Sequence, residues 1–148
     1  MLKSHPLTGV GYDQYTEYHY AVAHNSFVHT FAELGLSGAF CFVGMFYWYF
    51  KGLMLLPNTQ LGIAPWRRAL LASAVGVLAC TWFLSRQYVP VLYALLALGA
   101  CAVNLELPSD EREAFHFRSK DVVFISAITI ALIVVVYVSI RTMAIWGG

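Results

Sequence analysis

The chain has 148 residues, of which 59% are hydrophobic, 16% aromatic and only 11% charged, where a soluble domain carries about 25% charged residues. With a mean hydropathy of +0.65 and a net charge of +1, this composition excludes a disordered chain, a basic nucleic-acid binder and most soluble enzymes. Cys41, Cys80 and Cys101 each sit in an apolar run without zinc-site spacing, and three such cysteines make no disulfide framework. The expected class is an all-α, polytopic membrane protein with about four transmembrane helices.

In chain order, residues 1–25 form a polar, aromatic segment with His5-Pro6, Gly9-Val10-Gly11 and the tyrosines Tyr12, Tyr15, Tyr18 and Tyr20. Such tyrosines suit a membrane interface or stack on sugar rings. A first apolar span follows at 26–50, and Lys51-Gly52 is read as its end. Pro57-Asn58 and Pro65 mark a loop. Two shorter spans, 69–85 and 88–104, make a tight hairpin around Ser85-Arg86-Gln87-Tyr88, and Pro90 suits the first turn of the second. A charged connector leads to the last span, 122–145, since about 20 apolar residues cross a bilayer.

The spans alternate in direction, so orientation is a binary choice. Lys51, Arg67, Arg68, Arg112, Arg118 and Lys120 lie on one side; Lys3, Arg86 and Arg141 lie on the other. The first side is therefore cytoplasmic, and the N-terminal segment and the 85–88 turn are extracytoplasmic. Four spans behind a polar head have the form of the C-terminal part of a longer protein.

The stretch from His24 to Gly38 carries the chemistry. Asn25 and Ser26 are good helix N-caps, and Thr30-x-x-Glu33 is a competing capping box one turn later. Either start leaves His24 at the membrane edge, where an imidazole of ordinary pKa about 6.5 serves as a general base or as an interfacial hydrogen-bonding group. His19, His24 and His29 recur every five residues, which rotates each by about 140° on a helix and denies them a shared metal-binding face. No metal is expected. His29 and Glu33 do share a face, and a buried ionisable group needs such a partner. Gly35 and Gly38 let a neighbouring helix approach, while Gly9 and Gly11 permit a tight turn.

His24-Asn25, nine residues, then Gly35-Leu36-Ser37-Gly38, preceded by Pro6-Leu7-Thr8-Gly9-Val10-Gly11, resembles the O-antigen ligase and Wzy-type polymerase superfamily. The resemblance covers residues 5–50 in motif detail and the later spans in hydropathy. It implies a multi-pass glycosyltransferase of the bacterial inner membrane. Such an enzyme moves a glycan from an undecaprenyl-diphosphate carrier to the hydroxyl of a glycan or lipid acceptor, in lipopolysaccharide or polysaccharide assembly. It uses no cofactor, metal or nucleotide sugar, and no nucleic acid takes part. By this resemblance His24 is the catalytic base. Asn25 and Arg86 are substrate-binding candidates, Arg86 either touching the diphosphate or snorkelling to the interface. Gly9, Gly11, Glu33, Gly35 and Gly38 form the structural motif. The family's diphosphate-holding arginines precede the histidine in earlier spans, and this chain begins after them. The alternatives are a non-catalytic membrane subunit or truncated remnant that packs with partner helices, and a module that binds or translocates lipid-linked glycan.

Overall fold

The computed structural model describes residues 4–18, 24–56, 63–85, 87–107, 109 and 115–146. Among them there is no strand, and the helices are α1 (Tyr15–Tyr18), α2 (Ser26–Leu55), α3 (Ile63–Phe83), α4 (Pro90–Glu106) and α5 (Ser119–Trp146). The regular structure of the described residues is all-helical, the class expected from the apolar runs. Two helices, α2 and the Ser119–Ser139 stretch of α5, are long and apolar enough to cross a membrane.

The long central helix α2 packs against α3, α4 and α5. Side-chain bonds fix their directions. Asn25 Nδ2 donates to the Trp82 carbonyl at 2.8 Å and Ser26 Oγ to that of Leu84 at 2.6 Å, so α3 ends where α2 begins. The turn before α4 meets α2 at the same end, through Tyr88 and Glu33. Lys51 Nζ lies 2.8 Å from Asp121 Oδ1, so α5 begins near the other end. The four long helices alternate in direction, with the N-terminal segment, Leu84 and Tyr88 together at one end.

Several boundaries differ from those expected. Lys51 does not end α2, which runs on to Leu55. Its ammonium is held by Asp121 and lies 4.5 Å from the Trp48 ring centroid, so the charge stays within the helix at little cost. Pro65 marks no loop but sits in the first turn of α3, where a missing N–H breaks no intrahelical bond. At α5 the helix starts at Ser119, and Asp121 Oδ2 accepts the Arg118 N–H at 2.8 Å.

The core lies along α2. Phe27, Phe42, Val43 and Phe46 pack with Leu92 of α4 and Ile125 of α5, and Tyr49 and Leu53 continue the contact toward Leu70 and Val103. Helix α4 packs closely on α2 at Gly99, where a Cβ would strike the Tyr49 ring. This corrects the reading of Gly35 and Gly38 as the seat of a neighbouring helix. What approaches Gly35 is the backbone of the N-terminal segment.

That contact is possible because α2 is broken. Gly35 has φ +63° and ψ −159°, outside helical space, which leaves carbonyls open before the break and N–H groups open after it. The segment 6–11 crosses the break as a strap and closes two groups on each side. Val10 and Gly11 N–H donate to the carbonyls of Ala32 and Glu33 at 3.0 and 2.9 Å; the carbonyls of Pro6 and Leu7 accept from Leu36 and Ser37 N–H at 2.9 and 3.3 Å. Ser37 Oγ adds a bond to the Leu7 carbonyl at 2.7 Å. Gly9, with φ +68°, lies against the break, and a Cβ there would come within 2.6 Å of the Gly35 nitrogen.

Candidate functional site

The site lies where the strap crosses α2. Glu33, the last residue but one before the break, is fully buried at 0% exposure. An isolated buried carboxylate is costly, and three segments converge to satisfy it. Tyr15 N–H, opening α1, donates to Oε1 at 3.1 Å. Tyr88 O–H, from the turn before α4, donates to Oε2 at 2.6 Å. His29, one turn earlier on α2, places Nδ1 3.8 Å from Oε2, as the shared helical face predicts.

Around this carboxylate the aromatic groups are ordered. The Tyr15 ring stacks on the His29 ring with centroids 4.4 Å apart, and Tyr12 meets Tyr88 edge to face at 4.6 Å. Gln87 is buried, and its side-chain amide meets His29 Nδ1. Its backbone carbonyl accepts the Tyr93 hydroxyl at 2.6 Å. Burial raises the pKa of the Tyr88 hydroxyl above its ordinary value, and the bond to Glu33 adds to the shift. Burial also raises that of Tyr15.

Of the residues expected to form the site, the structure brings Gly9, Gly11, Glu33 and Gly35 together. Gly11 (φ +109°) hands its N–H to the Glu33 carbonyl. Gly38 follows the break, its Cβ position filled by the Leu34 side chain. Asn25 is the N-cap of α2: its Oδ1 accepts from Phe27 and Val28 N–H at 2.9 and 3.0 Å. Helix α2 starts there, not at the competing Thr30–Glu33 box. With Nδ2 bonded to Trp82, both ends of the Asn25 amide are in use. His24 is exposed on the bend before this cap, and its ring hydrogen-bonds to no described residue. Arg86, like His19 and Tyr20, lies outside the described residues.

Sequence reasoning missed Tyr15, Gln87 and Tyr88 as partners of the His29–Glu33 pair. Their signal was slight: a polar tetrapeptide between two apolar runs, and one tyrosine among several. Among the described residues, no group of histidine, cysteine and carboxylate side chains is placed to hold a metal ion. In comparisons with known proteins, the chain matches no family model, and no curated protein or solved structure is similar to it.

Proposed function

We propose that this chain forms part of a glycosyltransferase embedded in the bacterial inner membrane. It moves a glycan from an undecaprenyl-diphosphate carrier to an acceptor hydroxyl. The observation that carries this reading is the pairing of two motif segments: 6–11 and the stretch leading to Gly35 meet by four backbone hydrogen bonds at one end of the bundle. The His24 ring stands exposed on the bend at the head of the same helix. All four long helices cross the membrane in this reading. The Glu33 end is extracytoplasmic, and the end at Lys51 and Asp121 faces the cytoplasm, with the larger share of basic residues.

In the reaction, neutral His24 takes the proton of the acceptor hydroxyl. The oxygen then attacks the anomeric carbon, and the carbon–oxygen bond to the diphosphate breaks. The diphosphate leaves with the electron pair, and the configuration inverts. The Glu33 cluster holds the strap and the 84–89 turn beside the reacting groups. Arg86, next to Gln87 in sequence, is the candidate for holding the diphosphate through a charge-assisted fork.

The test is transfer from a lipid-diphosphate donor in membranes carrying the full-length protein. Loss of a general base costs about 10²–10⁴ in rate, and His24→Ala is expected to fall in that range with insertion unchanged. His24→Gln keeps a hydrogen-bonding group but cannot take a proton at neutral pH. Near-normal transfer by His24→Gln overturns the base assignment.

One observation favours the non-catalytic alternative, a subunit that packs with partner helices. Helix α5 turns Val123, Phe124, Ile130 and Val134 outward, an apolar face that lipid or another helix covers. A defined heteromeric complex in mild detergent, with no transfer activity, would support that reading.

A further inference from the structure

Two larger grooves between the long helices are lined by no charged residue. A third, of about 250 Å³, lies between α3 and α4 near the end of α2, and it differs. Leu70, Leu98 and Leu105 line it as an apolar wall, and Trp66, Arg67 and Glu106 line it as well. One groove thus brings a hydrocarbon surface, a guanidinium and a carboxylate together.

The fold sets these two charges on different helices. Arg67 of α3 donates its Nε–H to the Leu53 carbonyl at 2.7 Å, which uses one of five N–H donors and fixes the group against the end of α2. Glu106 is the last residue of α4 and is exposed. Among the described residues the ion pairs are His29 with Glu33 and Lys51 with Asp121, so Arg67 and Glu106 do not neutralise each other. Arg68 is exposed but does not line the groove. The helix dipoles follow the same pattern. Helix α3 begins at this mouth and α4 ends there, so the positive end lies with Arg67 and the negative end with Glu106.

A complementary ligand carries an anion and a cation a short link apart, on a hydrocarbon chain. A phosphoethanolamine lipid has that form: its phosphate suits the guanidinium fork, and its ammonium suits the carboxylate. We propose that the α3–α4 groove binds a phospholipid with a phosphoethanolamine head, its phosphate at Arg67, its ammonium at Glu106 and one acyl chain along the leucines. Trp66, 70% exposed, then stands at head-group level, where tryptophan is favoured. The inference rests on α3 and α4 lying in the bilayer and is independent of glycosyl transfer.

The experiment is native mass spectrometry of the full-length protein in detergent with equal amounts of dioleoyl phosphatidylethanolamine and dioleoyl phosphatidylglycerol. The two lipids share acyl chains and phosphate, and only the first carries an ammonium. Wild type should retain the ethanolamine lipid about two- to fivefold better, the range that one partly exposed ion pair gives. Glu106→Gln should abolish this preference, and Glu106→Lys should reverse it. Both changes fall at an exposed helix end, where the fold tolerates them. Equal retention of the two lipids by wild type, or an unchanged preference in Glu106→Lys, overturns the proposal. The bilayer placement has its own control. With Cys41, Cys80 and Cys101 replaced, Gly76→Cys puts a thiol in mid-α3, where a Cβ meets nothing within 4 Å, and lysed membranes should shield it from an impermeant maleimide. Labelling there would place α3 outside the bilayer and remove the site with it, whereas equal lipid retention with the thiol shielded removes the lipid site alone. A lipid preference in a protein that transfers no glycan keeps the site and removes the transferase reading.

Discussion

Gly9 and Gly35 meet backbone to backbone. A Cβ on Gly35 would stand 2.5 Å from the Gly9 nitrogen and 2.6 Å from the Leu7 carbonyl carbon. Both residues have positive φ, so each is glycine for two reasons at once, conformation and space. Neither neighbour is a movable side chain.

The first prediction tests that interlock. A residue held in a disfavoured backbone region costs about 1–3 kcal/mol before any clash is counted, so Gly9→Ala and Gly35→Ala should each lower the melting temperature in detergent markedly. Gly44→Ala is the control, because a Cβ there meets only Ile125 methyl carbons at 3.7 and 3.9 Å. Equal melting of Gly35→Ala and Gly44→Ala would mean that the strap does not seat on the break.

Asn25 separates structure from substrate binding. Loss of an N-cap costs about 0.5–2 kcal/mol, so Asn25→Ala should destabilise the protein by about that much. Asn25→Asp keeps the cap and loses only the bond to Trp82. On the glycosyl-transfer proposal, if the residue serves the helix alone, transfer by Asn25→Asp stays near wild type; a large rate loss at unchanged stability would place Asn25 against substrate.

The clusters on α2 show how far the sequence could be read. The apolar runs, their alternation and the two glycine-bearing segments were legible, because hydropathy and short spacing report them directly. That the segments join was not, since α2 is apolar on nearly every side and its periodicity points to no particular partner. Pro65 and Lys51 misled for a related reason. Proline and lysine are read as breakers by type, whereas helix position and the partner Asp121 decided their outcome here. Tyr88 lies far from Glu33 in sequence, and only the fold of three helices unites them.

Alkaline pH gives a third prediction. The raised pKa of the Tyr88 hydroxyl means that the folded state holds this proton more tightly than the unfolded chain does. Its contribution is complete below the unfolded value of about 10 and is lost as pH rises toward the higher folded value. Melting temperature should therefore decline above about pH 10, less steeply in Tyr88→Phe, whose neutral-pH stability is lower because Glu33 loses a donor. Parallel declines would show that the Tyr88 bond is absent in solution.

The far cluster ties α5 to α2. Asp121 accepts from Lys51, from the Tyr47 hydroxyl and from the Arg118 N–H. A double-mutant cycle on Lys51→Met and Asp121→Asn should give a measurable coupling, clearly larger than that between distant sites. A coupling near zero would mean that the pair is solvated and α5 is held by its apolar contacts alone.

Orientation is open to labelling. With Cys41, Cys80 and Cys101 replaced, a cysteine at Tyr12 should react with an impermeant reagent in intact spheroplasts, and one at Lys120 only after lysis. The reverse pattern would invert the bundle and place the Glu33 cluster at the cytoplasmic face.

The strap also bears on biogenesis. A helix with an unpaired break carries open carbonyls and N–H groups, each costing several kcal/mol in hydrocarbon. In α2 those groups are closed by residues that leave the ribosome before it. The strap is thus already synthesised when the broken helix forms, and it can dock as a chaperone in cis while the rest of the bundle is still being made. Deleting residues 6–11 from the gene would leave the break in α2 without these partners from the start.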